Sequence, residues 1–173
     1  QMGFSLLGLF YGAISVMILY NLFLYFSLRI KSYLYYVFVI TATLMGQLST
    51  NGLAFQYLWP NSPSWNIMST PFWVSLACIF ILVFARSFLD TDQYSPKFKL
   101  ISYLLMILNG IVICTLFISP IVALNMMLLS TISTFFTVLS VAFICLKRGA
   151  RQARFFIVGW VIFLIGVLLT IFE

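Results

Sequence analysis

Few side chains in this sequence could carry acid–base, nucleophilic or metal chemistry. It has no His, and its only acidic residues, Asp90, Asp92 and Glu173, lie outside the apolar runs. A hydrolase needs a positioned base or a metal, and a proton-coupled transporter relays protons through buried Asp, Glu or His. A retinal pigment needs a lysine in the middle of a span. The sequence therefore argues against these classes, and we predict no enzyme activity, no catalytic residue, no metal site and no cofactor.

The three cysteines give no sign of a disulfide framework or a metal site. Cys78, Cys114 and Cys145 each fall inside an apolar run, are odd in number and form no CxxC pair. We expect them to pack as small apolar residues.

A series of hydroxyl residues is the most conspicuous polar pattern in the apolar regions. Ser130, Ser133, Thr134 and Thr137 recur at helical spacing, which predicts that they share one face of a helix. That face could line a ligand site or relay a signal. The alternative is packing, because hydroxyls in membrane helices commonly bond a preceding carbonyl or let a neighbouring helix approach.

A second group of candidate ligand positions lies at the end of the second apolar run and in the segment after it. Asn51, Trp59 and Trp65 lie there among other aromatic residues, and they could receive a ligand or an extracellular domain. The alternative is anchoring, because Trp and Tyr are enriched at the headgroup level of membrane proteins. Amides at membrane depth are expected to point inward and pair, since an unsatisfied polar group there costs several kcal/mol. The amides concerned are Asn21, Gln47, Asn51, Asn109 and Asn125.

The amino-acid composition predicts the kind of secondary structure that carries these residues. Of 173 residues, 64% are hydrophobic and only 7% are charged, whereas a soluble domain carries about 25% charged residues. The apolar runs are continuous rather than alternating, so they indicate membrane-spanning helices. We predict an all-α polytopic bundle with six spans, at residues 4–28, 33–55, 71–89, 100–119, 121–146 and 155–172. The third span is expected to begin near Pro71, after a loop over residues 59–66, and Ser119-Pro120 is expected to separate spans four and five.

The basic residues are confined to alternate loops. All nine Lys and Arg follow spans one, three and five or lie at the edge of one. Under the positive-inside rule this places the amino terminus outside and these loops in the cytoplasm. The pattern explains the basic pI without nucleic acid, and it could also serve coupling to a cytoplasmic partner. The residues assigned to this inner face are Arg29, Lys31, Arg86, Lys147, Arg148, Arg151 and Arg154.

A GxxxG pattern, Gly8 to Gly12, lies in the first span. Such a pattern lets helix backbones approach closely and could mark a homodimer face. In a chain with five further spans, an internal helix contact explains it equally well.

Several strings resemble one bacterial receptor family, the seven-transmembrane receptors with diverse intracellular signalling modules. They are LYNLFLYFSLR at 19–29, KSYLYY at 31–36, NGLAFQYLWP at 51–60, RSFLDT at 86–91, YSP at 94–96 and RQARFF at 151–156. The resemblance implies a bacterial cytoplasmic membrane location. It also implies an extracytoplasmic sensory domain before the bundle and a signalling domain after it, such as a diguanylate cyclase, histidine kinase or phosphatase. Since the family has seven spans, the seventh would have to follow Glu173.

The sequence thus predicts the transmembrane region of a signalling receptor, which relays an extracytoplasmic signal by helix rearrangement. The principal alternative is a small-solute transporter or channel, because selectivity can be built from carbonyls and hydroxyls alone. A helix-packing or assembly subunit without a ligand is a third reading.

Overall fold

The computed structural model describes residues 2–159 and shows helices almost throughout, with no strand in that range. Residues 152–159 are helical again after the last complete helix. The prediction of an all-α polytopic membrane bundle is confirmed. The complete helices are α1 (Met2–Leu28), α2 (Lys31–Thr50), α3 (Leu53–Tyr57), α4 (Pro63–Phe88), α5 (Thr91–Tyr94), α6 (Pro96–Thr115) and α7 (Pro120–Lys147).

Four helices in the described part of the chain are long and apolar enough to cross a membrane. They are Tyr11–Leu28 within α1, Pro63–Phe88, Lys97–Thr115 within α6, and Pro120–Lys147. The helix α2 has 20 residues, but its polar residues leave it outside this group. Most of the predicted sixth span, 155–172, lies outside the described residues, so the number of six spans stays a prediction.

The third predicted span begins earlier than expected. The helix α4 starts at Pro63 and continues through a buried Pro71, so the predicted start at Pro71 and the predicted loop through Asn66 were wrong. Proline at a first helical turn lacks only an N–H that would have no partner anyway, which suits Pro63. An internal proline such as Pro71 is tolerated in membrane helices, where neighbouring groups satisfy the freed carbonyl. The predicted turn at Pro120 is where α7 begins.

The helix α4 lies at the centre of the bundle. It packs against α2, α6 and α7, whereas α1 packs against α2. Small buried residues, Ala42, Gly46 and Ser49, form the face of α2 that meets α4. A Cβ placed on Gly46 would lie 3.7 Å from both Trp73 Cβ and Val74 Cγ2. At that distance a methyl group would be in ordinary contact, so the small residues here keep the two helices close and leave room for Ala at position 46 but not for a large side chain.

A buried apolar cluster holds one end of the bundle together. It joins the end of α4, the start of α6 and the end of α7 to the helical segment 152–159. Its members include Leu82, Ala85, Leu89, Phe98, Val138, Cys145, Ala150, Ala153 and Phe156. This cluster holds the segment 152–159 against the bundle.

Candidate functional site

An aromatic cluster, formed by Trp59, Trp65, Phe72 and Trp73, covers the connection between α3 and α4. The ring centroids are 6.3 Å apart for Trp59 and Trp65, 5.4 Å for Trp65 and Phe72, and 5.2 Å for Phe72 and Trp73. Because α4 begins at Pro63, Trp65 lies in its first turn and shares a face with Phe72. The structure therefore brings together two predicted site residues, Trp59 and Trp65.

Three polar atoms at this cluster are shielded from solvent without a hydrogen-bond partner in the described structure. They are Trp59 Nε1, Trp73 Nε1 and Asn66 Oδ1. Buried polar groups are normally paired. The cluster thus combines ring faces with donors and an acceptor, the set that a small polar ligand or an ordered water would use.

The third predicted residue of this group, Asn51, makes a different contact. Its Nδ2 donates a hydrogen bond of 2.8 Å to the Tyr11 hydroxyl and so links the end of α2 to α1. The Asn51 side chain is exposed. Asn51 therefore connects two helices at the same end of the bundle as the aromatic cluster.

The four hydroxyl residues predicted to share a face of α7 differ in how deeply they are buried. Ser130 and Thr134 are buried, Thr137 is half-buried and Ser133 is exposed. Ser133 donates to the Leu129 carbonyl at 2.8 Å, and Thr137 donates to the Ser133 carbonyl at 2.7 Å. Ser133 and Thr137 therefore satisfy their hydroxyls on α7 itself, whereas Ser130 and Thr134 are the two buried members of the series.

Ser130, one of the two buried hydroxyl residues of the series, belongs to a buried polar contact between α6 and α7. Ser130 Oγ lies 3.2 Å from Asn109 Oδ1, and Asn109 Nδ2 donates to the Leu105 carbonyl at 2.9 Å. Both Asn109 and Ser130 are fully buried. The expectation that Asn109 points inward and pairs is met by this geometry.

Cys78 of α4 lies against α7 near this contact, and Ser75 is buried one turn before it; neither was proposed as a site residue from the sequence. The Cys78 thiol donates to Thr131 Oγ1 at 3.7 Å. The Ser75 hydroxyl is buried without a hydrogen bond in the described part of the chain, and the buried Thr134 hydroxyl lies beside the Cys78 thiol. A helical projection of α4 against α7 could have found Ser75, but no sequence pattern specifies which two helices meet.

The remaining amide side chains differ in whether they are buried. Gln47 and Asn125 are exposed on the described bundle, so the expectation that they point inward was wrong. Both lie near helix ends, Gln47 in the last turn of α2 and Asn125 in the second turn of α7, where interfacial water is close. Asn21 is buried and donates to the Met17 carbonyl at 2.8 Å, which satisfies it within α1.

The end of the bundle opposite the aromatic cluster is basic. The α1–α2 turn, the end of α4, the start of α6 and the end of α7 meet there, and they hold all the Lys and Arg residues up to Arg148. Ser32 and Ser87 share a hydrogen bond of 2.8 Å between α2 and α4, and Arg86 lies over the Tyr103 ring at 4.7 Å. Arg148 donates to the Tyr94 carbonyl. These contacts tie the basic end together across five helices.

The remaining predicted inner-face cations lie in the turns of this end. Arg29 has a positive φ of 55° and closes α1, and Lys31 opens α2. Lys147 ends α7, and Arg151 and Arg154 are exposed where the segment 152–159 begins. The structure thus groups every inner-face residue proposed from the sequence at one end.

Among the described residues, no group of three or more His, Cys, Asp or Glu side chains could hold a metal ion. The other features described above are an aromatic end, a buried polar contact between α6 and α7, and a basic end, and α4 reaches from the aromatic end to the basic end.

Comparison with known proteins gives one match. A family model described as 7TM diverse intracellular signalling matches residues 4–173. No curated protein and no solved structure matches the chain. The match covers nearly the whole sequence, including both ends of the bundle described above.

Proposed function

The chain belongs to the 7TM diverse intracellular signalling family, and from that premise we propose that it relays an extracytoplasmic signal to a cytoplasmic output domain by helix rearrangement. The family is one of bacterial membrane sensory receptors, so this chain is a receptor region. The single observation that carries the proposal is the family match over residues 4–173. The sensory and output domains, a seventh span and a homodimer through Gly8 and Gly12 belong to the same proposal.

The proposed location is the bacterial cytoplasmic membrane, with the amino terminus and the aromatic cluster outside. The support is the charge distribution, since every Lys and Arg of the described bundle lies at the opposite end. Loops rich in Lys and Arg remain in the cytoplasm.

We assign the relay to α4. This one helix carries Trp65 and Phe72 at the aromatic end and Phe84 and Phe88 at the basic end. Phe84 and Phe88 each lie 6.1 Å, between ring centroids, from Phe156 in the segment that continues the chain. A tilt or shift of α4 at one end would therefore move the start of the segment at the other.

The buried hydroxyls give α4 alternative positions against α7. The Ser75 hydroxyl is buried without a partner in the described structure, whereas the Cys78 thiol lies 3.7 Å from the Thr131 hydroxyl and also beside that of Thr134. A small displacement of α4 could exchange which of these groups bond. A signal can drive such an exchange only by binding the two packings with different affinity.

The test measures whether a change at the aromatic end alters the basic end. Spin labels at Ser87 and Gln152, both exposed, report the distance between the end of α4 and the segment after α7. We expect Trp65→Ala to shift or broaden that distance distribution in the intact protein in lipid. The matched control is Ile67→Ala, which truncates an exposed apolar side chain in the same turn region of α4.

An unchanged distance distribution with Trp65→Ala, in protein that remains folded, would refute the relay through α4. Solute-specific flux by the intact protein in liposomes would refute the receptor mechanism itself and favour a transporter or channel. A shift with the Ile67 control as large as that with the Trp65 variant would show that the distance responds to any truncation in this part of α4. That result would refute a specific role for Trp65.

A further inference from the structure

A groove lies at the basic end, between the start of α6 and the end of α7. Its volume is about 510 Å³, and it is open along one side. Ile101, Phe136 and Ile144 contribute apolar walls, and Thr137 and Ser140 contribute hydroxyls. Lys97 and Arg148 line it at the end nearest the membrane surface.

The length of the groove matches one leaflet of a bilayer. From Arg148 back to Phe136 along α7 is about 18 Å at a rise of 1.5 Å per residue. Half of a hydrocarbon core about 30 Å thick is roughly 15 Å. A groove that begins at the headgroup level therefore ends near the bilayer midplane, where an acyl chain also ends.

The groove has charge at one end only. Arg148 donates to the Tyr94 carbonyl, which holds its guanidinium at the mouth, and a guanidinium has five N–H donors to offer. Lys97 is exposed in the first turn of α6, and none of the residues described as lining the groove is acidic. Two cations above an apolar channel are complementary to a phosphate above an acyl chain.

We propose that this groove is a binding site for an anionic phospholipid. The lipid phosphate lies between Lys97 and Arg148, and one acyl chain lies along Ile101, Phe136 and Ile144. Basic pockets between membrane helices recognise anionic headgroups in this way. The proposal depends on the membrane location of the chain and not on the relay through α4.

The experiment counts lipids retained by the intact protein in detergent, by native mass spectrometry, after addition of phosphatidylglycerol or phosphatidylcholine. We expect phosphatidylglycerol to be retained preferentially. Because two interfacial cations are removed, Lys97→Gln/Arg148→Gln should weaken its retention roughly tenfold to thirtyfold. Ile101→Trp, which fills the groove without changing charge, should lower retention as well.

The matched controls keep the groove intact. Lys147→Gln/Arg151→Gln removes the same charge from exposed positions that do not line the groove, and Leu104→Trp enlarges an exposed side chain on the same helix as Ile101. Both should retain phosphatidylglycerol as the wild type does. Equal losses in the two charge variants would overturn the proposal in favour of diffuse attraction.

Two further results would also overturn it. Equal retention of phosphatidylcholine would show that the headgroup is not selected. Retention of no lipid by a folded wild-type protein would show that another helix or a second copy fills the groove.

Discussion

Gly149, two residues after the last residue of α7, has a backbone conformation that other residues adopt only with strain. Its φ is +92°, its N–H bonds the Leu146 carbonyl at 3.1 Å, and the Ala150 N–H bonds the Cys145 carbonyl at 3.0 Å. These are the two hydrogen bonds of a Schellman motif. Ala150 and Cys145 are both buried in the apolar cluster at the basic end, so the motif also sets where the chain re-enters the bundle.

We predict that Gly149→Ala lowers stability by about 1 to 2 kcal/mol, because a Cβ is disfavoured in the left-handed region. The measurement is the midpoint of thermal unfolding in detergent. Gly110→Ala is the control, since Gly110 lies inside α6 with open space around it and Ala is the better helix former by up to about 1 kcal/mol. Destabilisation by both substitutions alike would contradict the role of the left-handed turn.

The contact between Asn109 and Ser130 is the strongest candidate for a stabilising polar contact inside the bundle. In a double-mutant cycle with Asn109→Ala and Ser130→Ala, we expect a coupling free energy of about 0.6 kcal/mol and at most about 1.7. Ser133→Ala is the control, because that exposed hydroxyl bonds only its own helix. A coupling of zero between Asn109 and Ser130 would show that the two groups gain nothing from their contact.

At the scale of helices, α2 and α4 pack against each other at Gly46. A Cβ on Gly46 would meet Trp73 and Val74 at ordinary contact distance, so Gly46→Ala should be tolerated. Gly46→Leu needs more space than the interface offers, and overpacking of this kind costs about 1 to 3 kcal/mol. We expect it to lower the unfolding midpoint.

The control for that prediction is Gly12→Leu. Gly12 has no heavy atom within 4 Å of an added Cβ in the described structure. Unchanged monomer stability with loss of self-association would support a homodimer face at Gly8 and Gly12. Equal destabilisation by Gly12→Leu and Gly46→Leu would contradict the claim that the α2–α4 contact limits the size of the side chain at position 46.

The sequence predicted the helices better than their contacts. Apolar runs bounded by charge or proline lie close to the bounds of α1 and α7, because a cation or a proline is costly inside a span. The helix α6, Pro96–Thr115, begins and ends four residues before the predicted span 100–119, and the predicted span 33–55 is divided between α2 and α3. The start of α4 was missed because Pro71 was read as a first turn, while Pro63 could equally begin a helix. One chain carries no local signal that distinguishes two prolines that both fit a first turn.

The candidate sites, too, could be predicted along one helix but not between helices. Helical spacing correctly placed Ser130 and Thr134 on one side of α7, but it could not say where the bundle ends, so the exposed Ser133 was grouped with them. Ser75 and Cys78 were not found because their role depends on α4 meeting α7. Contacts between helices are set by tertiary packing, which periodicity along one helix does not encode.

At the scale of the molecule, charge is the most asymmetric property. Every Lys and Arg of the described bundle lies at one end, and the aromatic cluster lies at the other. Moving a cation through the centre of a bilayer costs about 2.5 to 3.5 kcal/mol on insertion scales. A bundle with so many cations at one end therefore has one strongly favoured orientation.

That orientation gives the last prediction. In a background without the three native cysteines, Ser62→Cys lies exposed beside the aromatic cluster and Gln152→Cys lies exposed at the basic end. We expect a membrane-impermeant thiol reagent to label Ser62→Cys in intact cells and Gln152→Cys only after permeabilisation. The reverse pattern would place the basic end outside, and labelling of both positions in intact cells would require the two ends to share a side, which alternating helices do not permit.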